Sequence, residues 1–293
     1  MRSCRIGRNV LYDRSMSPAD DLGVGPRLRK WRELRRLSQL ALSSATGVST
    51  RHLSCVETGR SAPSRELVLH LARELDVPLR EQNQLLLVAG FAPVFAQRPL
   101  DDPSMAPVLS VLDSVVERSD PNPVVVVDSR WDLVRANTAA LWMCSGVAPE
   151  LLEPPANVAR LSLHPDGLAP HVRNFDEYSS HLIDRLARTA AVTNDRALTE
   201  LVVELVELVE LAAHGRPRSW RDEAPAAPPF PPPFPPPFAL PLVIEVDDTE
   251  LRLFSTIATF GSAIDVTLSE LSIETFYPAD DATAEVLSTR PWA

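Results

Sequence analysis

The sequence is poor in cysteine and has no long apolar run. Its three cysteines, Cys4, Cys55 and Cys144, are too few and too scattered for a disulfide framework, and no Cys-x-x-Cys pair indicates a zinc site. No stretch reaches the roughly 18 apolar residues that a membrane helix needs, and no apolar segment follows the N-terminal arginines as in a signal peptide. We therefore expect a cytoplasmic protein in a reducing environment, with no membrane association, metal or cofactor.

Lysine is almost absent, and the charge is unevenly distributed. Lys30 is the one lysine beside 28 arginines. The chain carries a net charge of -10, yet residues 1–90 sum to +6 and the remainder to -16. Residues 23–65 alone hold nine Lys+Arg against Glu33 and Glu57, a net of +7. This asymmetry predicts that only the N-terminal part of the chain meets a polyanion.

The N-terminal part has the periodicity of a small all-α domain. After a leader at 1–22, which we expect to be disordered, apolar residues recur at helical spacing. Serines that can cap helix starts and glycines that can end helices divide this stretch. The predicted helices are about three turns from residue 23, then 39–46, 50–58, 65–75 and 79–89. Five short helices predict one domain over residues 23–93.

A different pattern follows residue 93. We expect a linker at 94–120 that contains a helix at 104–118, and then strands and helices in alternation. The predicted strands are 124–127, 131–135, 242–246, 251–260 and 267–276, and the predicted helices are a short one from Asn137 to Cys144 and long ones at 175–191 and 195–211. Proline-rich loops are expected after Cys144. The sequence thus predicts an α+β domain with an antiparallel sheet at 121–285, followed by a tail at 286–293.

A proline-rich insertion is predicted at 222–241. Residues 225–241 include ten prolines in 17 positions. Proline fixes φ and removes a backbone donor, which favours an exposed polyproline II conformation. A semi-rigid surface segment is the favoured interpretation; a ligand for a domain of the SH3 or WW type is the alternative, in which the protein is an interaction module.

The most specific motif is a helix-turn-helix at 23–65. Two short helices flank the turn Thr46-Gly47-Val48-Ser49, and the front of the second helix would enter the major groove. Arg51 can form a bidentate pair with guanine, and Thr50 can contact a thymine methyl. Gln39 begins the first of these helices, where it can hold a phosphate. The predicted DNA-binding residues are Gln39, Ser49, Thr50, Arg51, His52, Cys55 and Arg60.

These residues resemble a known family. LSQLALSSATGVSTRHLSCVETGRSAPS is similar to the Cro/lambda-repressor type of helix-turn-helix. The continuation ELVLHLARELDVPLREQNQLLLVAGFAP and the later segments PNPVVVVDSRWDLVRANTAA and LFSTIATFGSAIDVTLSELSIETFYPAD resemble the MmyB-like transcription regulators. The resemblance implies a PAS-like ligand-binding domain behind the DNA-binding domain, and a buried Arg32–Glu57 salt bridge. Cys55 at a usual base-contact position is a departure from the family pattern.

The resemblance also implies a small apolar ligand of the fatty-acid type in the C-terminal domain. The residues expected to bind it are Asn137, Trp142, His164, Arg173, Asn174, Arg185, Phe254 and Phe260. A carboxylate head would suit Arg173 or Arg185. The protein is predicted to be a transcriptional regulator that binds double-stranded DNA as a homodimer.

An enzyme in the C-terminal half is the less favoured alternative. His164, Asp166 and His171 are close in sequence and suggest acid–base chemistry or metal binding. Their spacing fits no zinc pattern, and no nucleophile motif such as Gly-x-Ser-x-Gly accompanies them. We therefore expect no catalytic residues.

Overall fold

A computed structural model of the chain describes residues 23–215 and 240–292. The predicted leader at 1–22 and nearly all of the predicted proline-rich insertion lie outside the described residues. Contacts within the chain divide it into two compact units, with the division after Val94. The segment 95–120, predicted as a linker, therefore belongs to the second unit.

The first unit consists of five short helices, as predicted. They are α1 (Val24–Leu34), α2 (Gln39–Thr46), α3 (Thr50–Glu57), α4 (Arg65–Glu74) and α5 (Leu79–Val88). The helices begin where the sequence indicated, because Ser38, Ser49 and Ser64 each accept a hydrogen bond from the backbone N–H three residues later. Helix α2 ends at Gly47, whose φ of 71° is left-handed and suits glycine.

Apolar side chains from all five helices form the core of this unit. Trp31 of α1 is buried together with leucines and valines from each following helix, among them Leu42, Leu53, Val68 and Leu85. Each helix is too short to be stable in isolation, so this shared core stabilises the unit.

The second unit is α+β, which confirms the predicted fold class. Its strands are β1 (Val124–Val127), β2 (Leu133–Ala136), β3 (Leu242–Val246), β4 (Thr249–Thr259) and β5 (Ser272–Pro278). Its helices are α6 (Ala106–Glu117), α7 (Thr138–Met143), α8 (Pro149–Leu152), α9 (Val158–Leu163), α10 (Phe175–Thr193), α11 (Arg196–Gly215), α12 (Val266–Ser269) and α13 (Asp281–Thr289), with 3₁₀ turns at Pro103–Met105 and Ala169–His171.

The five strands form one antiparallel sheet in the order β2-β1-β5-β4-β3. Strand β5 is central and pairs with both β1 and β4. The prediction of a single strand over 267–276 is wrong in its first half, where α12 forms instead. Asp265 accepts a hydrogen bond from the backbone N–H of Thr267 and so starts this helix.

Two other predictions in this unit need correction. The proline-rich region after Cys144 contains the helices α8 and α9 rather than loops alone. The domain also does not end at residue 285, because α13 continues to Thr289 and its Leu287 is buried in the core. Helix α8 has only four residues, which are too few to display an apolar period.

The long helices α10 and α11 pack against each other and share one apolar core with strands β3 and β4. Helix α6 joins a smaller apolar cluster with β1, in which Leu112 and Val116 are buried together with Val124 and Val126. Among the described residues, no helix combines the length and the apolar character that a bilayer crossing requires.

Candidate functional site

The α2–turn–α3 segment presents the front of α3 to solvent. Only residues 47–49 separate the two helices, and Ser49 caps α3 by accepting from the His52 backbone N–H at 3.3 Å. Arg51 and His52, in the first turn, are exposed. Among the described residues, Arg51 has no hydrogen-bond or ion-pair partner. Its guanidinium is therefore free to contact an external acceptor.

The other predicted DNA-binding residues lie at different depths on this surface. Thr50 is partly buried, and its hydroxyl is 3.4 Å from that of Ser43 on α2. Cys55 is also partly buried, one turn after Arg51. Arg60 is exposed just beyond the end of α3. Thr50 and Arg51 are thus placed at the leading end of α3, and Cys55 is further back.

A buried ionic network holds α3 in place. The guanidinium of Arg32 donates to both carboxylate oxygens of Glu57, from Nε at 2.6 Å and from Nη2 at 2.9 Å. The side chains of Arg32 and Glu57 are only 9% and 1% exposed. This pair joins α1 to α3 and confirms the salt bridge that the family resemblance implied.

Gln39 takes part in the same network. Its side-chain amide donates to Glu57 Oε2 at 2.7 Å, which ties α2 to α3. The second amide hydrogen and the backbone N–H at the start of α2 are the groups with which Gln39 can meet a phosphate.

The carboxylate of Glu57 is held in its charged form. Burial alone would raise the pKa of Glu57, but the hydrogen bonds from Arg32 and Gln39 outweigh burial and set the pKa below its ordinary value. The network is therefore ionised at neutral pH.

In the second unit, a cavity of about 360 Å³ lies between α10 and the strands β4 and β5. Tyr178, Leu182 and Arg185 contribute from one face of α10, at helical spacing. On β4, Ser255 and Ile257 follow the buried Leu251 and Leu253 on the same side of the strand. Glu274 and Phe276 of β5 complete this part of the wall. The volume is within the usual range for small-ligand pockets.

Of the residues predicted to bind a ligand, Arg185 lines this cavity. Two of the others instead support the backbone. Asn137 accepts from the backbone N–H groups of Val124 and Ala140 and caps α7. Asn174 accepts from the Val243 N–H at 3.0 Å and so holds the edge of β3.

The remaining predicted ligand residues are engaged in other contacts of the second unit. Trp142 donates from Nε1 to Asp247, His164 accepts from the Asp166 backbone N–H, and Arg173 pairs with Glu245. Phe254 stacks on Tyr277 with ring centroids 5.6 Å apart, and Phe260 packs with the cluster around α6. The structure does not bring these eight residues together at one cavity among the described residues.

Sequence reasoning missed Tyr178, Ser255 and Glu274 as cavity residues. Two signals were present: Tyr178 shares a helical face with Arg185, and Glu274 is a charge within a mostly apolar strand. Burial, with the charge of Glu274 adding to it, raises the pKa of Tyr178 to about 12. The phenol is therefore uncharged at neutral pH.

The histidines and the acid considered for catalysis do not form a compact group. His164 Nδ1 lies 3.8 Å from an Asp166 carboxylate oxygen. His171 lines a different cavity of about 270 Å³ beside Gly146 and Asp247. Over residues 23–215 and 240–292, no group of three or more His, Cys, Asp or Glu side chains is arranged to hold a metal ion.

Two family models match the chain. The model described as MmyB-like transcription regulator ligand binding domain matches residues 108–289, which is more than half of the chain. The model described as helix-turn-helix matches residues 28–82. The matches correspond to the second and the first structural unit, respectively. No curated protein matches the chain.

Proposed function

Since the chain belongs to the MmyB-like transcription regulators, we propose that it reads a specific operator through α3 and that a small molecule in its second unit regulates this binding. The observation that carries the proposal is the free guanidinium of Arg51 at the exposed front of α3. The buried Arg32–Glu57 pair holds this helix in place. Arg51 contacts guanine in the major groove, and Thr50 contacts a neighbouring base.

Backbone contacts would come from the flanks of the same surface. Gln39 at the start of α2 and Arg60 beyond α3 contact phosphates on either side of the groove. Ser49, His52 and Cys55 are the further contact candidates on or beside α3. The net charge of +7 over residues 23–65 supports this assignment, because phosphate neutralisation supplies much of the affinity for DNA.

The protein acts as a homodimer on a two-fold symmetric operator. One helix-turn-helix reads only a few base pairs, so two copies related by a two-fold axis are needed for a long and selective site. The ligand is an apolar or fatty-acid-like small molecule, the protein works in the cytoplasm with the DNA, and it has no enzymatic activity.

Selection of bound sequences from random double-stranded oligonucleotides tests this function. We expect an inverted repeat with half-site centres about 10 base pairs, or a multiple of that, apart. The affinity for the selected site should fall steeply with salt. The proposal would be refuted if no sequence were enriched in the bound pool and binding did not depend on salt. Ultracentrifugation of the complex should show two chains for each operator.

A further inference from the structure

The 360 Å³ cavity has an ion pair of the chain's own in its wall. Arg185 of α10 donates to Glu274 of β5 from both terminal nitrogens, with Nη1–Oε1 at 3.0 Å and Nη2–Oε2 at 3.3 Å. Glu274 is only 5% exposed and lies on the central strand of the sheet. The fork of Arg185, which would suit a ligand carboxylate, is therefore already occupied by a carboxylate of the protein.

The charges along the cavity wall cancel. Arg185 and Glu274 form an ion pair within the lining, the phenol of Tyr178 is neutral, and His181 is an exposed residue of the same lining. A ligand carboxylate would bring a second negative charge beside Glu274, whose own side chain is almost fully buried. Repulsion between like charges disfavours that arrangement.

A neutral head group avoids this repulsion, because it adds no charge beside Glu274. The Nε atom of Arg185 is buried, and both terminal nitrogens already donate to Glu274. The guanidinium lies over the ring of Trp131, with 4.6 Å from its carbon to the ring centroid, so its orientation is restrained.

From these contacts we propose that the cavity prefers an uncharged amphipathic molecule over one with a free carboxylate. Leu182, Leu242 and Phe276 provide apolar wall for its hydrocarbon part. The inference rests on the proposed ligand-regulated function and specifies the class of ligand.

Calorimetric titration of the full-length protein with octanamide and with octanoate tests the preference, near pH 7.5 where octanoate is ionised. We expect octanamide to bind at least about tenfold more tightly. In Glu274→Gln the order should reverse, because Arg185 loses its internal carboxylate and can pair with that of the ligand. Glu204→Gln is the matched control: Glu204 also accepts two hydrogen bonds from an arginine, Arg160, but it does not line the cavity. The Glu204→Gln protein should prefer octanamide over octanoate to the same degree as the wild type.

A cavity-filling variant locates the binding site. Ile257 lines the cavity and is 44% exposed, so Ile257→Trp can be accommodated by the fold and should abolish octanamide binding. Tighter binding of octanoate than of octanamide by the wild type would overturn the inference while leaving a ligand-regulated repressor or activator intact. Binding of neither probe would also overturn it, and the operator selection described above would still decide the DNA-binding function. The wild-type comparison remains decisive even if Glu274→Gln does not fold.

Discussion

At the scale of single residues, burial assigns different roles to arginines of the same chemistry. Arg32 has a 9% exposed side chain and is paired with Glu57, whereas Arg51 is exposed and has no partner among the described residues. A buried guanidinium without a carboxylate would be strongly unfavourable, so Arg32 is a structural residue. An exposed guanidinium without a partner is stable in water and is available to a nucleic acid.

Arg51→Ala should reduce operator affinity by about 1–3 kcal/mol and relax selectivity at one base position, because a bidentate contact to guanine is lost. Competition binding against operators with single base changes measures this. Arg60→Ala is expected to weaken binding to all DNA sequences equally and to reduce the salt slope by about one, because it removes a phosphate contact. Unchanged base selectivity in Arg51→Ala would mean that α3 is not the recognition helix.

Glu57→Ala should destabilise the first unit by about 3–5 kcal/mol, because it leaves the guanidinium of Arg32 buried without its carboxylate. Glu33→Ala is the control. Glu33 forms an exposed pair with Arg29 at 2.8 Å and lies 3.8 Å from Arg32 without a hydrogen bond to it, so its loss should cost far less than that of Glu57. Thermal or urea unfolding, followed by circular dichroism, gives both values; equal costs would contradict the structural role of Glu57.

The same network predicts a pH dependence. The pKa of Glu57 is lower in the folded state than its ordinary value of 4.5, so its contribution to stability is present above that pH and is lost as the pH falls through the folded pKa. The stability difference between the wild type and Glu57→Gln should therefore shrink as the pH falls below about 4.5. Melting temperatures of the two proteins across this range measure the effect, and a constant difference would exclude it.

At the scale of elements, close packing of α1 on α3 depends on Gly25. A Cβ at position 25 would overlap the carbonyl oxygen of Val56, which is a backbone atom and cannot move aside. Because α3 is the reading helix of the proposed function, this contact determines where its exposed face lies relative to α1.

Gly25→Ala should therefore destabilise the first unit by about 1–3 kcal/mol, through overpacking against the α3 backbone. Gly261→Ala is a suitable comparison, since no atom lies within 4 Å of a Cβ built there and the φ of Gly261 is not left-handed. It should be nearly neutral in the same unfolding measurement. A Gly25→Ala protein with the wild-type melting temperature would show that α1 and α3 are less closely packed than described.

At the scale of the whole molecule, the two units carry the two halves of the proposed regulation. A ligand changes operator affinity only if it binds the DNA-competent and incompetent states unequally. We expect octanamide to shift operator affinity by a factor of about 5–150 in the wild type and to have no effect in Ile257→Trp. Fluorescence anisotropy of a labelled operator, with and without the amide, measures the shift; identical affinities would exclude coupling through this cavity.

Sequence patterns were sufficient for most of the secondary structure. Capping serines and left-handed glycines act within a few residues, so α2 and α3 were predicted almost to the residue. The strands β1 and β3 were evident from short apolar runs. The helices α8 and α12 were missed, because four residues are too few to display a helical period. Helices α9 and α13 were also missed, although they are at least as long as the predicted α7 and α2, respectively.

The local sequence by itself determined the caps, the helix-turn-helix and the charge that suits DNA, since these depend on neighbouring residues and on composition. Only the tertiary structure decided which side chains meet across the chain. Arg185 and Glu274 are 89 residues apart, and nothing local indicates that β5 takes the central position opposite α10. Long-range strand pairing brought them together, so a carboxylate of the protein occupies the guanidinium that the sequence had offered to a ligand carboxylate.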